Sequence, residues 1–321
     1  MRPRPDPGVP PLTWLYAPGD RPDLVARALG CGAGAVVVDL EDAVAPDRKD
    51  YALGATAELL SDPAPGPAPV HVRVNALDGP RAAAEIRILA ALPGLAGLRL
   101  PKVHGPADVL RAAAWATDPV RSAEPAAAAS GRAAPPGTTA TAAPPATAPA
   151  RIPALYALLE SALGVEHAYT IATAHPAVRG IALGEADLRA ELGLRDEAGL
   201  AWPRGRVVVA ARAAGLAPPP QSVHPDVRDL DGLARSCARG RALGFLGRAA
   251  IHPRQLPVIE AAYRPTAEET EAAAEIVRAA AARPGALALT DGRFVDPAVV
   301  AGARRVLALA GRTAKRRADP V

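Results

Sequence analysis

The chain has 321 residues, which is enough for one large domain or two ordinary ones. Half of the residues are hydrophobic but only 3% are aromatic, so alanine and branched aliphatic side chains must build the core; this excludes a disordered or collagen-like chain. The 37 basic and 33 acidic residues give a net charge of +4, and this small excess does not indicate binding to nucleic acid.

Short apolar runs alternate with longer amphipathic stretches along the chain, a pattern typical of parallel strands joined by helices. The predicted strands are, in chain order, 13–17, 35–40, 70–75, 97–100, 154–159, 180–183, a weaker one at 222–227, and 248–251. The predicted helices between and after them include 21–30, 80–92, 106–116, 164–174, 200–215, 231–244 and 266–282. Eight repeats of strand and helix predict an α/β fold, a (β/α)8 TIM barrel, with a doubly wound open sheet as the alternative.

One segment departs from this pattern. Residues 121–150 contain 13 alanines and 6 prolines but no Leu, Ile, Val, Met or aromatic residue. Because such a segment has almost no large apolar surface to bury, we expect a disordered insertion that interrupts one domain. Deleting residues 121–150 should therefore leave activity largely intact, and a loss of the folded circular dichroism signal would contradict this interpretation.

The sequence also predicts where the protein resides. Residues 1–14 lack the apolar stretch of a signal peptide, and no later stretch holds the 18 or more uninterrupted apolar residues of a bilayer span. Two cysteines, Cys31 and Cys237, are too few for a disulfide framework and lack the spacing of a zinc site. We expect a cytoplasmic protein without a membrane partner.

Polar residues stand at the ends of several predicted strands. In chain order they are Asp39, Glu41, Asp42, Arg73, Asn75, Lys102, Glu160 and Asp187. In a parallel barrel the carboxyl ends of all strands open on the same face, so these side chains should converge into one site.

Glu160 and Asp187 are the predicted metal ligands. Mg²⁺ binds through one or two protein carboxylates plus waters and substrate oxygens, and two acids on adjacent strand ends suit it. The structural alternatives are a surface salt bridge for Glu160 and a helix N-cap for Asp187.

Arg73 and Lys102 are the candidate substrate-binding cations. Arg73 lies within a His-Val-Arg-Val-Asn run, where an inward guanidinium needs a fixed anionic partner such as a substrate carboxylate. The alternative is a structural ion pair with Glu41 or Asp42. Only three of the 37 basic residues are lysines, so a lysine kept at position 102 indicates a specific need, either a substrate contact or a pair with the acidic segment.

An ordered set of motifs covers nearly the whole chain outside residues 1–10 and the Ala/Pro segment. The motifs are LYAPGDRPDLVARAL, GAVVVDLEDAVAPDRK, VRVN, LPKV, ALLESALGV, GEADLRAELG, ALGFLGRAAIHPRQ and DGRFVDPAVVAGARRVL. Together they resemble the citrate lyase β-subunit-like branch of the HpcH/HpaI aldolase and citrate lyase superfamily. The resemblance implies a TIM-barrel domain over residues 1–285, a helical lid over residues 286–321, and a homotrimer or dimer of trimers.

The resemblance also implies a reaction. Family members cleave or form a carbon–carbon bond in 3-hydroxyacyl-CoA esters such as malyl-, citramalyl- or citryl-CoA, so the expected partners are a CoA thioester and a small 2-keto acid. Two alternatives stay open: hydrolysis of a malyl-CoA-type thioester, and a citrate lyase β-subunit working within a complex on an acyl-carrier-protein thioester.

Individual residues match the family motifs. Glu160 and Asp187 match its Mg²⁺ ligands, Arg73 matches its keto-acid-binding arginine, and Glu41 lies in its acidic turn near the metal waters. The resemblance implies that Asp296 reaches a neighbouring subunit's active site as a catalytic acid or base. It also places Arg21 and Lys102 near the CoA phosphates or the mouth of the site.

Overall fold

The computed structural model describes residues 10–118, 152–282, 286–289 and 292–318. Its centre is a seven-stranded parallel sheet whose strands are β1 Thr13–Pro18, β2 Ala35–Asp39, β3 Val70–Arg73, β4 Leu95–Leu100, β5 Ala154–Leu159, β6 Val178–Leu183 and β7 Arg248–Ala250. Neighbouring strands pair in the order β6-β5-β4-β3-β2-β1-β7, and every pair is parallel.

The sheet is strongly curled. The rings of Trp14 on β1 and Tyr156 on β5 lie 5.8 Å apart between centroids, although three strands separate β1 from β5. In a flat sheet these strands would be about 19 Å apart, since neighbouring strands are spaced by about 4.8 Å. The inner face therefore closes around its own side chains, as in a barrel.

The predicted strand at 222–227 is wrong. Only Gln221 pairs with the edge of β7: its N–H donates to Gly247 O and its carbonyl accepts from Ala249 N, both at 2.9 Å. Prolines precede this residue at positions 218 to 220 and follow it at 225, and proline has no N–H to continue a ladder. Within the described ranges the fold is thus a curled parallel sheet of seven strands, and the complete eight-stranded barrel is not formed.

Helices cover the outer face of the sheet. They are α1 Pro22–Gly30, α2 Lys49–Ser61, α3 Ala82–Ala90, α4 Pro106–Thr117, α5 Ala162–Glu166, α6 Ala168–Thr173, α7 Glu185–Glu191, α8 Ala201–Ala213, α9 Leu230–Ala242, α10 Gln255–Tyr263 and α11 Ala267–Ala282. Alternate strand residues such as Val36, Val38 and Val72 face these helices and form the main apolar core. The predicted helix at 164–174 is two helices, because the chain bends at His167 between α5 and α6.

The C-terminal residues form a short antiparallel hairpin and a long helix. The hairpin strands are β8 Leu287–Ala288 and β9 Phe294–Val295, and helix α12 Pro297–Ala318 packs against α11. The predicted lid over 286–321 comprises this hairpin and α12, and its role as a lid and the domain boundary at 285 stay predictions. The predicted insertion at 121–150 lies outside the described residues. None of the helices among the described residues combines the length and the apolar composition of a bilayer span.

Candidate active site

A cavity of about 460 Å³ lies at the carboxyl ends of the strands. Its charged lining residues are Asp39, Asp42, Arg73, Arg99, Glu160, Glu185 and Asp187. They come from strands β2 to β6 and from the turns that follow, which the parallel sheet brings to one end. Arg73, Glu160 and Asp187, which lie far apart in sequence, thus line a single cavity.

Arg73 is held by Asp39. The Nε and Nη2 atoms of Arg73 donate to the two carboxylate oxygens of Asp39 at 2.8 and 2.6 Å, and Asp39 also accepts from the backbone N–H groups of Glu41 and Ala43. Because Asp39 is 1% exposed, this bidentate pair is shielded from solvent. The structural alternative named Glu41 or Asp42 as the partner, but the bidentate edge of Arg73 faces Asp39.

Glu41 joins the two predicted substrate-binding cations. Its Oε1 accepts from Lys102 Nζ at 2.8 Å, and its Oε2 lies 3.0 Å from Arg73 Nη1 as an ion pair without good hydrogen-bond alignment. Burial raises the pKa of Glu41, while the charges of Arg73 and Lys102 oppose that effect. Lys102 and Arg73 are therefore both neutralised by the acidic turn.

The backbone of Lys102 donates a hydrogen bond to Glu160. Lys102 has φ of 50°, a left-handed conformation that costs an ordinary residue about 1 kcal/mol. Its N–H donates to Glu160 Oε2 at 3.0 Å. The strained backbone at Lys102 thus provides a hydrogen bond that holds the Glu160 carboxylate in position.

Among the acids that line the cavity, Glu160 has the most strongly raised pKa. Its side chain packs so closely on Gly184 that a Cβ at position 184 would lie 2.4 Å from Glu160 Cγ. Burial raises the pKa of Glu160 to about 8, and the charges of Glu41 and Asp187 contribute. A buried carboxyl that is destabilised as an anion by other acids gains most from a nearby cation.

Glu160 and Asp187 fit a hard divalent cation. Both residues line the cavity, and the charge of Asp187 acts on Glu160. The described residues contain no group of three or more His, Cys, Asp or Glu side chains that could hold a metal, so the protein would supply only two ligands. Two protein carboxylates with the remaining positions left to water and substrate oxygens are typical of Mg²⁺. Asp187 stands in the first turn of α7, directly after β6.

Sequence reasoning missed Lys49 as a support of this site. Lys49 Nζ donates to the carbonyl oxygens of Leu40 and Glu41 at 2.8 and 2.7 Å and to Asn75 Oδ1 at 2.7 Å. It therefore ties the acidic turn to the end of β3. The scarcity of lysine, which drew attention to Lys102, applies equally to Lys49 and would have found it.

Four predicted site residues are not among those that line the cavity. Glu41 and Lys102 contact residues that do line it, Arg73 and Glu160. The side chains of Arg21 and Asp296 make no such contact. Arg21 is exposed at the start of α1 and pairs with Asp23 at 3.0 Å. Asp296 accepts from Val299 N at 2.9 Å and so caps α12. Their predicted roles stay predictions, and that of Asp296 involves a neighbouring subunit.

The family is decided by comparison with known proteins. The model of the HpcH/HpaI aldolase/citrate lyase family matches residues 12–253, and that of the C-C bond lyases of the TIM-barrel fold matches residues 210–303. This chain belongs to the HpcH/HpaI aldolase/citrate lyase family. The resemblance found in the sequence motifs is thereby confirmed.

Three relatives in this family show the range of related activities. A (3S)-malyl-CoA thioesterase of Cereibacter sphaeroides is 33% identical over 95% of this chain and 96% of its own length, and the citrate lyase subunit beta of Leuconostoc mesenteroides is 32% identical over 93% and 92%. The crystal structure of CitE from Mycobacterium tuberculosis, in complex with magnesium, acetoacetate and coenzyme A, superposes with a TM-score of 0.70 at 29% identity, covering 95% of this chain and 99% of that one. The prediction of a lyase enzyme is confirmed at the level of the HpcH/HpaI family.

Arg99 is a further charged residue of the cavity that sequence reasoning missed. It lies on β4, is 2% exposed, and has its guanidinium 4.3 Å from the ring centroid of Trp14 and 5.3 Å from that of Tyr156. The run Leu-Arg-Leu at 98–100 carries the same signal as the run around Arg73, an arginine inside an apolar strand. That signal marks an inward-facing cation in both places.

The raised pKa of Glu160 predicts how the metal-free protein responds to pH. Between the ordinary glutamate value of 4.5 and about 8, the folded protein holds a proton that the unfolded chain has lost. The free energy of unfolding should therefore fall as pH rises through this interval, by at most about 1.4 kcal/mol per pH unit. Urea unfolding at pH 5, 6, 7 and 8 in EDTA would measure the slope. Glu160→Gln should flatten it, and equal slopes in the two proteins would contradict the assignment.

Proposed function

We propose that this protein is a Mg²⁺-dependent carbon–carbon lyase that cleaves a short 3-hydroxyacyl-CoA, of the malyl-, citramalyl- or citryl-CoA type, to acetyl-CoA and a 2-keto acid. The carrying observation is the pair Glu160 and Asp187, two acids of one cavity of which the first is buried with a strongly raised pKa. Family membership and the CoA-ester relatives support the substrate class.

The cleavage step requires that negative charge be stabilised on oxygen atoms of the substrate. A base removes the proton of the 3-hydroxyl group, the bond between C2 and C3 breaks, and its electron pair forms the enolate of acetyl-CoA, which is then protonated at carbon. Glu160 and Asp187 would hold Mg²⁺, which when bound stabilises negative charge on the substrate hydroxyl and carboxylate oxygens. The left-handed turn at Lys102 and the glycine at 184 keep Glu160 in place for this task.

Arg73 is proposed to contact the substrate carboxylate through Nη1. Its Nε and Nη2 are occupied by Asp39, and Nη1 lies 3.0 Å from Glu41 and 3.5 Å from Asp42. A substrate carboxylate would take the place of Asp42, the exposed partner, while Asp39 holds the guanidinium plane. Glu41 would lie beside Mg²⁺ when the ion is bound, and the hydrogen bond from Lys102 Nζ at 2.8 Å would hold its carboxylate in place.

Asp296 is proposed as the acid or base for the enolate, supplied by a neighbouring subunit. In its own chain this carboxylate caps α12 and does not line the cavity. The role therefore requires an assembly, proposed as a homotrimer or dimer of trimers, in which the lid closes over the next protomer and excludes water. Arg21 is proposed to meet the CoA phosphates from the exposed start of α1.

The deciding experiment is a product screen. Malyl-, citramalyl- and citryl-CoA are incubated with the protein and Mg²⁺, and acetyl-CoA, free CoA and 2-keto acid are measured separately. Acetyl-CoA and keto acid in equal amounts are expected. Absence of keto acid from every ester would overturn the proposal.

Thioester hydrolysis is the second candidate, because the (3S)-malyl-CoA thioesterase is similar along nearly its whole length. It would release free CoA without keto acid, so the same screen separates it from cleavage.

A citrate lyase β-subunit is the third candidate, supported by the similar Leuconostoc protein. It would act poorly alone on free CoA esters and well on an acyl-carrier-protein thioester.

A further inference from the structure

A shielded ion pair stands beside the predicted metal ligand Asp187. Glu185 begins α7, two residues before Asp187, and both residues line the cavity. Arg204 on α8 donates from Nε and Nη2 to the two carboxylate oxygens of Glu185 at 2.8 and 2.7 Å. The side chains of Arg204 and Glu185 are 9% and 13% exposed, so this bidentate pair is largely protected from solvent.

The two acids of this turn differ in their partners. Arg204 neutralises Glu185. Among the described residues the Asp187 carboxylate has no hydrogen-bond or ion-pair partner, although its charge acts on the buried Glu160. A carboxylate that is already paired with a guanidinium offers little to a divalent cation, because the cation must compete with a bound positive charge. Of the two acids, Asp187 is therefore the one that is free to bind Mg²⁺.

The start of the turn is fixed against Glu160. The N–H of Gly184 donates to Leu159 O at 3.0 Å, and Gly184 lies so close to the Glu160 side chain that a Cβ would not fit between them. Mg²⁺ requires oxygen ligands at about 2.0 to 2.1 Å in a nearly ideal octahedron. Since the Glu160 carboxylate is held, the residues after Gly184 must also be held if Asp187 is to reach the same ion.

Arg204 connects this turn to the packed helices. It lies on α8, whose residues Val207 and Ala211 are fully buried. Its Nη1 donates to Glu197 Oε1 at 2.9 Å, and Glu197 Oε2 accepts from Arg239 on α9 at 3.0 Å. All three nitrogen atoms of the Arg204 guanidinium are thus used within the protein, and the first turn of α7 is anchored to two helices.

We infer that Arg204 is a positioning residue of the metal site: it withdraws Glu185 from the cation and holds the turn so that Asp187 binds Mg²⁺ together with Glu160. This inference rests on the proposed function, which makes Glu160 and Asp187 the metal ligands. The sign of the effect distinguishes positioning from a purely electrostatic role. A nearby positive charge opposes cation binding, so loss of the Arg204 charge alone would tighten Mg²⁺ binding, whereas loss of a held turn would weaken it.

Two variants measured by calorimetry test the inference. Arg204→Met removes the clamp and leaves Glu185 unpaired. The double variant Glu185→Gln/Arg204→Met removes the clamp at constant net charge and, because Glu197 still pairs with Arg239, leaves no acid of this network unpaired. The Kd for Mg²⁺ should rise by about 10-fold in both, the scale expected when support of a metal ligand is lost. Arg204→Lys keeps the charge but not the fork, so its Kd should lie between those of the wild type and Arg204→Met.

Controls separate position from stability. Arg206→Met removes the same charge from the same helix, but Arg206 contacts the Glu166 carbonyl and not the turn, so its Kd for Mg²⁺ should match that of the wild type. Urea unfolding in EDTA establishes that each variant is folded. A merely structural role of Arg204 would lower the free energy of unfolding and leave the Kd of the folded protein unchanged.

The outcomes distinguish this inference from the lyase proposal. Unchanged or tighter Mg²⁺ binding by the folded double variant would overturn the inference, even where every ester is cleaved. Mg²⁺ binding that depends on Arg204 as described, without cleavage of any ester, would overturn the lyase proposal and retain the inference. Absence of Mg²⁺ binding by the wild type would overturn both.

Discussion

Replacing Glu160 with glutamine is expected to abolish Mg²⁺-dependent release of acetyl-CoA. A loss of roughly 1000-fold in kcat/KM, equivalent to about 4 kcal/mol, is the expected scale when a ligand of a catalytic cation loses its charge. Glutamine has nearly the same shape and can still accept from the Lys102 N–H, so the position of the side chain is preserved. The loss would therefore reflect charge.

Controls separate that effect from misfolding. At pH 8 the free energy of unfolding of the metal-free Glu160→Gln protein should be at least as large as that of the wild type. The variant no longer buries an acid whose anion is destabilised by neighbouring charges. Its affinity for Mg²⁺, measured by calorimetry, should fall sharply. Glu58→Gln, an exposed change on α2, should alter neither quantity. Unchanged turnover in Glu160→Gln would refute the metal assignment.

Replacing Asp39 with asparagine is expected to destabilise the protein by about 3 kcal/mol, because it leaves the Arg73 guanidinium without its buried counter-charge. Asp39 accepts four hydrogen bonds, two from Arg73 and two from the backbone of the following turn. Loss of that pair should also reduce kcat/KM, since Arg73 would no longer be held in one orientation. Urea unfolding and ester cleavage measure the two effects.

Asp42→Asn is the matched control for stability. Asp42 also approaches Arg73, at 3.5 Å, but its side chain is 59% exposed, so solvent screens the interaction. The expected cost is less than about 1 kcal/mol. Equal losses of stability in Asp39→Asn and Asp42→Asn would show that burial of the pair does not determine its strength.

Sequence periodicity predicted most of the sheet but not its closure. Apolar runs at seven positions became strands, since a strand buried on both faces needs little more than a short β-branched or aliphatic run. The eighth run, at 222–227, was judged by its place in the repeat. Whether this run forms a strand depends on its backbone N–H groups. The prolines around Gln221 lack these groups, so the pairing does not extend beyond Gln221.

Strand-end charges predicted the members of the site but not their pairing. Arg73, Glu160 and Asp187 line one cavity as the parallel topology requires. The partner of Arg73, in contrast, depends on side-chain direction: Asp39 is the register partner of Arg73 on the neighbouring strand, whereas Glu41 lies beyond the strand end. Alternation along β2 and β3 contains this information, but the sequence alone does not give the register between two strands.

The contacts that build the site are remote in sequence. Lys102 and Glu160 are 58 residues apart, and residues 121–150 account for about half of that separation. The entropic cost of closing a chain segment grows only with the logarithm of its length, so doubling the segment costs only about 0.6 kcal/mol. The length of the segment between β4 and β5 therefore adds little entropic cost to the contact between Lys102 and Glu160.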